Sequence, residues 1–301
     1  MATTVPITHR FAPVLAVSVG IALFSGMDAA IKGGSLAVGV YTALVLRNMM
    51  GLGMILPVWL LRARRRPPPE VIRLHIIRSV VSAGMAILFF VAIVRLPIAE
   101  GIAITFIAPL IALLLAGVFL KERIHRRAIF ASLLGLAGVG VIVGDRLGVT
   151  EANPQVVIGV TAAIVSALLY AANLVLQRKL SQQAGAVEVA LFQNLVIAVL
   201  LGLAAPWLFV PPTLPALGLI AIGAACGTAA LSLFAWGYAR AEAQVLVPIE
   251  YSAFIWAALF GWVFFHEPVG AVTLAGTALI VLGCWIGTRH DPQGPTEQTA
   301  V

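Results

Sequence analysis

Residues 101–127 read GIAITFIAPLIALLLAGVFLKERIHRR, an apolar run that ends in a cluster of basic side chains. The run is as long as a membrane crossing, which takes about 20 mostly apolar residues. The charged cluster at 121–127 suits a loop at the membrane surface, because buried charges are costly. Similar apolar runs, separated by charges or by Pro and Gly, recur along the whole chain, so the sequence predicts many membrane-spanning helices.

The composition supports a lipid-facing protein. The 301-residue chain is 61% hydrophobic and only 10% charged, and its mean hydropathy is +1.05. A soluble domain carries about 25% charged residues, so polar cover for a water-facing surface is missing. Cys226 and Cys284 both lie in apolar runs without metal-ligand spacing, which favours buried thiols over a disulfide or metal site. We expect no cofactor.

Breaking the chain at charges and at Pro/Gly clusters predicts an all-α membrane protein with ten transmembrane helices. Strands would instead show short alternating segments. The first segment is expected to remain in the mature protein, since no clear cleavage site follows it. The predicted spans are 11–31, 36–61, 73–95, 98–120, 127–145, 156–177, 187–210, 215–239, 243–265 and 269–288.

The sequence also repeats internally. A shift of 145 residues places Phe106 on Tyr251 and Glu122 on Glu267, and a shift of 146 places Asn48 on Asn194. The common offset predicts two related halves, residues 1–150 and 151–301, of five helices each. Because five is odd, the second half must enter the membrane in the opposite orientation, which makes the repeat inverted.

The basic residues support this orientation. With both termini in the cytoplasm, the inner loops take the clusters at 62–66 and 121–127, together with Arg73 and Arg78. The outer loops keep only Lys32, Arg95 and Arg146. Cytoplasmic loops are enriched in Lys and Arg, so the net charge of +7 is explained by the membrane. We expect no nucleic-acid partner.

These motifs resemble a known family. Residues 106–110, 119–123 and 135–139, with their counterparts at 254–267 and 276–283, are similar to the EamA-type module of the drug/metabolite transporter superfamily. The resemblance covers nearly the whole chain. It implies ten helices in two inverted repeats, a central cavity that opens alternately to each side, and a small-molecule substrate. Residues 89–100 resemble the subgroup of riboflavin-type and S-adenosylmethionine-type carriers.

Charged residues inside predicted spans are candidates for function, because they are costly in lipid unless paired or hydrated. Glu250 is interpreted as a carboxylate that accepts a proton or binds a cation, or else as the partner of Arg47. Arg47 suits a substrate carboxylate or phosphate, or a structural ion pair. Asp28 either pairs with Lys32 one turn on or forms a cation site; the family usually has an Asn-aromatic pair at Met27-Asp28.

Several neutral or border residues complete the candidates. Glu100 is placed either in the binding site or at the water boundary. Asn48 and Asn194 match between the halves, and helix-to-helix hydrogen bonds are their commoner role; Gln193 is the neutral counterpart of Arg47. Mid-span aromatics could stack on a planar or cationic ligand, although packing is their usual role. The remaining candidates are Tyr170, Asn173, Trp236 and Tyr251.

The sequence therefore predicts a secondary active transporter of the bacterial inner membrane that works by alternating access. The substrate would be a small organic metabolite: an amino-acid-like compound, a vitamin such as riboflavin, or a nucleotide-like cofactor. A proton or a counter-substrate would drive transport, and a homodimer is left open. A membrane-embedded enzyme and a channel-like protein are the alternatives. No phosphate-cradling Gly-rich motif is present, which argues against ATP coupling by this chain.

Overall fold

The computed structural model describes residues 8–62, 67–112, 126–148, 153–238, 240 and 249–288. Within these ranges the secondary structure is helical, with turns and short connections between the helices. The helices are α1 Thr8–Arg62, α2 Pro69–Ile93, α3 Ile98–Thr105, α4 Arg126–Gly148, α5 Pro154–Ser181, α6 Ala186–Gly202, α7 Ala205–Leu208, α8 Leu214–Tyr238, α9 Ala253–Phe265 and α10 Ala271–Thr288.

Helix α1 contains two predicted spans in two arms. The arms meet at Gly39, whose φ of 83° and ψ of 152° are not helical. The sequence placed this break at residues 32–35, four residues before its position in the structure. The break occurs at Gly39 because glycine adopts a positive φ without a steric penalty. The residues around Lys32, which were predicted to form a loop, are helical, and Lys32 is buried.

The fourth predicted span is interrupted. Helix α3 ends at Thr105, a turn follows at Phe106 and Ile107, and the chain is helical again over 108–112. Pro109 has no N–H to donate to the carbonyl of Thr105, which explains the interruption. The ninth span has a matching turn at residues 251–252, just before α9. Residues 113–120 and 243–248 of these two spans lie outside the described part.

Most of the other predicted spans agree with the observed helices, and the seventh does not. Helices α2, α4, α5, α8 and α10 begin and end within about four residues of their predictions, which is the usual precision. The seventh span, predicted over 187–210, is shorter, because α6 ends at Gly202 and the brief helix α7 follows. Trp207 in α7 is 80% exposed, as suits an aromatic anchor at a membrane border.

Helix packing brings the two halves together. Helix α1 packs most extensively against α8, α4 against α10, and α2 against α5. We name two ends of this bundle by their residues. The Gly39 end holds the turn at Gly39 and the connections 94–97 and 266–270, whereas the Pro69 end holds the start of α2. At the Pro69 end, Val71 packs with residues of α5 and α6, Leu180 and Val189.

The bundle is that of a multi-pass membrane protein. Among the described residues, four helices are long and apolar enough to cross a membrane, namely α1, α2, α5 and α8, and four shorter apolar helices accompany them. Large apolar side chains cover the outside: Leu61 is 88% exposed and Leu214 is 82% exposed. Such a surface is stable when lipid, rather than water, surrounds it.

Helices α4 and α10 approach closely through glycine. A Cβ atom on Gly138 would lie 2.5 Å from the carbonyl oxygen of Gly276, and a Cβ on Gly276 would lie 2.8 Å from that of Gly138. Small residues allow this backbone contact in membrane bundles. Gly140 and Gly144 of the same helix have no such neighbour within 4 Å.

Gly138→Ala is expected to destabilise the protein by about 1–3 kcal/mol, because the added methyl group forces two backbones apart. The midpoint of thermal unfolding in detergent measures this. Gly140→Ala is the matched control on the same helix, and it should leave the midpoint unchanged or raise it slightly. Equal midpoints for the two variants would contradict the close contact.

Candidate functional site

Asp28 and Arg47 face each other across the two arms of α1. Asp28 lies 11 residues before Gly39 and Arg47 lies 8 residues after it, so the bend brings them to similar depth in the bundle. Both side chains are partly exposed and their charges interact. They form no ion pair, whereas Lys32, Arg146 and His75 in the described part each do. The two opposite charges are therefore near each other but not joined.

The Arg47 guanidinium makes a side-chain contact with the sulfur of Met27. Its Nη2 donates to Met27 Sδ over 3.1 Å, a weak acceptor. Helix α8 passes close by, since a Cβ on Gly227 would lie 2.7 Å from Met27 Sδ and 3.8 Å from Arg47 Nη2. Arg47 thus keeps most of its donors for another acceptor, and the expected pairing with Glu250 is not what the structure shows.

Glu250 interacts with an aromatic side chain of another helix. The charge of Glu250 acts on Tyr170 of α5, and both side chains are partly exposed. Helix α1 runs beside this region, because Ser25 Oγ donates to the Ala253 carbonyl over 3.4 Å. Asp28 lies one turn further along α1. The carboxylates of Asp28 and Glu250 and the guanidinium of Arg47 therefore lie along the same stretch of α1 and α9.

The interrupted helices meet at their breaks. Phe106 and Tyr251, which match each other in the two halves, have ring centroids 5.4 Å apart at an interplanar angle of 88°. Cys284 Sγ donates to the Phe106 carbonyl over 3.3 Å. Discontinuous helices commonly form binding sites in transporters. Tyr251 is nevertheless packed edge-on against Phe106, in agreement with the packing alternative for this residue.

The three asparagines make contacts between or within helices. Asn48 and Asn194 each donate to a carbonyl four residues earlier, over 2.7 Å and 2.8 Å. Asn194 also lies against α1, since a Cβ on Gly51 would be 2.6 Å from its Oδ1. Asn173 accepts from Ser82 Oγ of α2 over 2.9 Å. The hydrogen bonds of Asn48 and Asn194 stay within their own helices, whereas the Ser82–Asn173 bond joins α2 to α5.

Two other candidates lie elsewhere. Gln193 is partly exposed on α6. Trp236 is 40% exposed and stacks under the Arg240 guanidinium, 4.4 Å from the ring centroid. The Arg240 Nη1 also donates to the Trp236 carbonyl over 3.1 Å. Trp236 therefore serves as an Arg240 partner at the end of α8.

Lys32 of α1 binds two connections at the Gly39 end, 94–97 and 266–270. Its side chain is 4% exposed and forms an ion pair with Glu267, and its Nζ donates to the Leu96 carbonyl over 3.0 Å. Glu267 also accepts from the Ile98 backbone N–H over 2.9 Å, at the start of α3. The expected i,i+4 pair between Asp28 and Lys32 is thus wrong: Lys32 turns away to a carboxylate of the second half.

Glu100 forms a second buried ion pair at this end. Arg146 Nε donates to Glu100 over 2.6 Å, and Thr273 Oγ1 of α10 donates over 3.3 Å. Glu100 is 1% exposed, whereas its partner Arg146 is 35% exposed, so the carboxylate is buried in an ion pair at the Gly39 end and the choice between binding site and water boundary stays a prediction. Arg146, assigned from sequence to an outer loop, lies within α4. Together with Lys32–Glu267, these contacts join α1, α3, α4 and α10 at the Gly39 end.

At the Pro69 end the structure reveals residues that the sequence did not single out. His75 Nε2 lies 3.0 Å from Glu188 Oε1, and the His75 ring stacks on Phe192 at 4.4 Å between centroids. Arg78, assigned from sequence to an inner loop, lies inside α2 and is only 7% exposed. The three-residue spacing of His75 and Arg78, which places them on one helix face, could have indicated this site. Counting positive charges to orient the chain does not use that spacing.

The chain matches a family model twice. The model of the EamA-like transporter family matches residues 11–144 and again residues 157–288. Together these two ranges cover most of the chain, and each corresponds to one of the two related halves.

Several known proteins are similar over long stretches. The pseudopaline exporter CntI of Pseudomonas aeruginosa is 24% identical over 263 residues, which is 87% of this chain and 90% of that protein. An uncharacterized transporter of Helicobacter pylori is 28% identical over 211 residues, 67% of this chain and 69% of that protein. A solved crystal structure shares the fold with a TM-score of 0.62 at 24% identity, covering 92% of this chain and 96% of that one.

Proposed function

This chain belongs to the EamA-like transporter family, and from that membership we propose a secondary active transporter for a small, zwitterionic, amino-acid-like metabolite. The protein is a membrane transporter rather than an enzyme, as its family and its relatives' names indicate. Alternating access, the substrate class and the location in a bacterial inner membrane are the further parts of the proposal.

The unjoined pair of Asp28 and Arg47 is the observation that carries the substrate class. A zwitterion has a carboxylate and an ammonium group a few ångströms apart, which matches an arginine fork and a carboxylate that do not neutralise each other directly. Arg47 would bind the carboxylate and Asp28 the ammonium group. Riboflavin-like or nucleotide-like solutes fit less well, because two of the aromatic candidates are already engaged, Tyr251 with Phe106 and Trp236 with Arg240.

The packing pattern supports ten helices in two inverted repeats. In the two repeats, the two arms of α1 correspond to α5 and α6, and α2 corresponds to α8. The contact of α1 with α8 in one repeat order is therefore equivalent to the contact of α5 with α2 in the other. The α4–α10 contact joins two equivalent helices directly. An inverted repeat generates such reciprocal contacts, and it gives a transporter two related states.

The orientation follows from the charges. With both termini in the cytoplasm, the Gly39 end faces outward and the Pro69 end inward, in keeping with the positive-inside rule. The buried pairs Lys32–Glu267 and Glu100–Arg146 would then close the outer side. The structure would then be an inward-open conformation, in which solute enters or leaves the binding site from the cytoplasm. The name of the relative CntI supports export as the direction, with a proton or counter-substrate moving the other way.

Counterflow in proteoliposomes tests the proposal. Vesicles loaded with an unlabelled neutral amino acid should transiently accumulate the labelled compound, saturably, because a carrier exchanges solute through one site. Vesicles loaded with riboflavin provide the comparison. Flux that rises linearly with concentration would indicate a channel and would overturn the carrier proposal; saturable flux of riboflavin alone would overturn the substrate class.

The same vesicles test the coupling residue. We propose that Glu250, whose charge is felt by Tyr170 of α5, carries the coupled proton. An imposed pH gradient should drive uptake by the wild type, and Glu250→Gln should still exchange solute in counterflow but ignore the gradient. Full gradient response in Glu250→Gln would remove Glu250 from this role.

A further inference from the structure

Arg78 is a buried cation without an anion. It lies nine residues into α2, which is about 14 Å along the helix, and it is 7% exposed. Its Nε has no hydrogen-bond partner, and no ion pair links Arg78 to any residue in the described ranges. An arginine that snorkels to a membrane surface keeps its head exposed, so Arg78 is not of that kind.

The helix face that carries Arg78 points into the protein. His75, Arg78 and Ser82 follow the i, i+3, i+7 spacing of one helix face. His75 contacts Glu188 of α6, and Ser82 contacts Asn173 of α5. Arg78 lies between them on the same face, so it is directed at the junction of α2 with α5 and α6. Glu188, the carboxylate on this face of the junction, is bound by His75.

A second unsatisfied group lies at the same level. Helices α2 and α5 are antiparallel, and Ser82 bonds Asn173 across their contact. In antiparallel helices, the residues one turn nearer the Pro69 end are Arg78 on α2 and Gln177 on α5, so these two residues lie at the same level. Gln177 Oε1 is buried without a partner, and so is the hydroxyl of Ser79 next to Arg78. Unsatisfied buried polar groups are rare and usually mark an absent ligand or water.

We propose that Arg78 and Gln177 form an oxyanion-binding site between α2, α5 and α6, on the Pro69 side of the bundle. The arginine fork binds a carboxylate or a phosphate group in two parallel hydrogen bonds. The Gln177 amide can turn its NH₂ group toward the anion, and the Ser79 hydroxyl is a further donor. The site is separate from Asp28 and Arg47 and does not depend on the proposed substrate.

Thermal unfolding of the purified full-length protein tests this site without a transport assay. Wild type and Arg78→Gln are compared in detergent while acetate or inorganic phosphate replaces chloride at constant ionic strength. Both are also compared in nanodiscs of phosphatidylcholine, with and without phosphatidylglycerol. The wild-type midpoint should rise by about 4 °C in at least one series, and that rise should be absent in Arg78→Gln.

Matched variants separate binding from folding. Arg95→Gln removes a cation whose Nε bonds the exposed side chain of Gln155, and it should keep the full rise. Without added oxyanion, Arg78→Gln should be at least as stable as wild type, because an unpaired buried charge is removed. Arg78→Lys should show a smaller rise than wild type, since it lacks the fork.

The outcomes identify the source of the anion. A rise with acetate or phosphate in detergent indicates a free anion or an anionic group of a solute, whereas a rise only with phosphatidylglycerol indicates a lipid headgroup. Either result supports the oxyanion site. No rise in any series, an equal rise in Arg78→Gln, or a marked loss of stability of Arg78→Gln in chloride would overturn it.

Discussion

Arg47→Gln is expected to lower saturable transport about 100-fold. Arg47 forms no ion pair in the described structure and donates to Met27 Sδ, so its guanidinium remains available for a solute carboxylate. Losing one member of a buried charge pair costs about 2–5 kcal/mol of binding, and each 1.4 kcal/mol is a factor of ten. The initial rate of counterflow at subsaturating solute measures the loss.

Two comparisons make this test specific. Arg47→Lys keeps the charge but not the planar fork, so it should recover part of the rate and raise KM more than it lowers the maximal rate. Arg95→Gln, which removes an arginine at the Gly39 end, should transport nearly as well as wild type. If Arg47→Gln folds normally and transports at the wild-type rate, the solute does not use Arg47.

The sequence predicted the helices well and their interruptions poorly. Apolar length identified α2, α5 and α8, since a membrane crossing requires a minimum apolar run. The turn after Thr105 lies within an apolar stretch, where hydropathy does not change. Only Pro109 indicated it, and proline in a membrane helix does not always interrupt the helix: Pro57 lies inside α1 without ending it.

The site was harder to predict, because pairing of charges depends on tertiary contacts. The sequence placed Asp28 and Arg47 within spans, and both lie inside α1, but the ion-pair alternatives considered for them, with Lys32 and Glu250, are absent from the described ion pairs. Lys32 meets Glu267 across 235 positions of sequence, a distance at which no local pattern is informative. Arg78 was missed for a different reason: positive charge near a span end fits a loop equally well, and only burial distinguishes the two.

Lys32→Met is expected to open the Gly39 end. Methionine keeps the length and apolar contact of the lysine stem but leaves Glu267, whose side chain is 17% exposed, with the Ile98 N–H as its remaining described partner. Breaking a buried ion pair costs about 3–5 kcal/mol. Because Glu267 keeps some solvent contact, we expect a smaller effect on the closed state, about tenfold in its population.

Cysteine labelling reports this opening. Ala99 is 3% exposed at the Gly39 end, so Ala99→Cys, in a detergent-purified chain with Cys226 and Cys284 replaced by alanine, should react slowly with a maleimide. Lys32→Met should accelerate that reaction about tenfold. The same change should not accelerate labelling of Val189→Cys at the Pro69 end, whereas general loosening of the fold would accelerate both.

The double variant distinguishes an ion pair from two separate effects. Glu267→Gln alone should also accelerate labelling, because it leaves Lys32 buried without a carboxylate. Combining it with Lys32→Met removes both charges, and replacing both members of a buried pair is often close to neutral. Labelling of the double variant should therefore return toward the wild-type rate. Additive acceleration would mean that the two residues act independently, and the Lys32–Glu267 pair would then not hold the outer side closed.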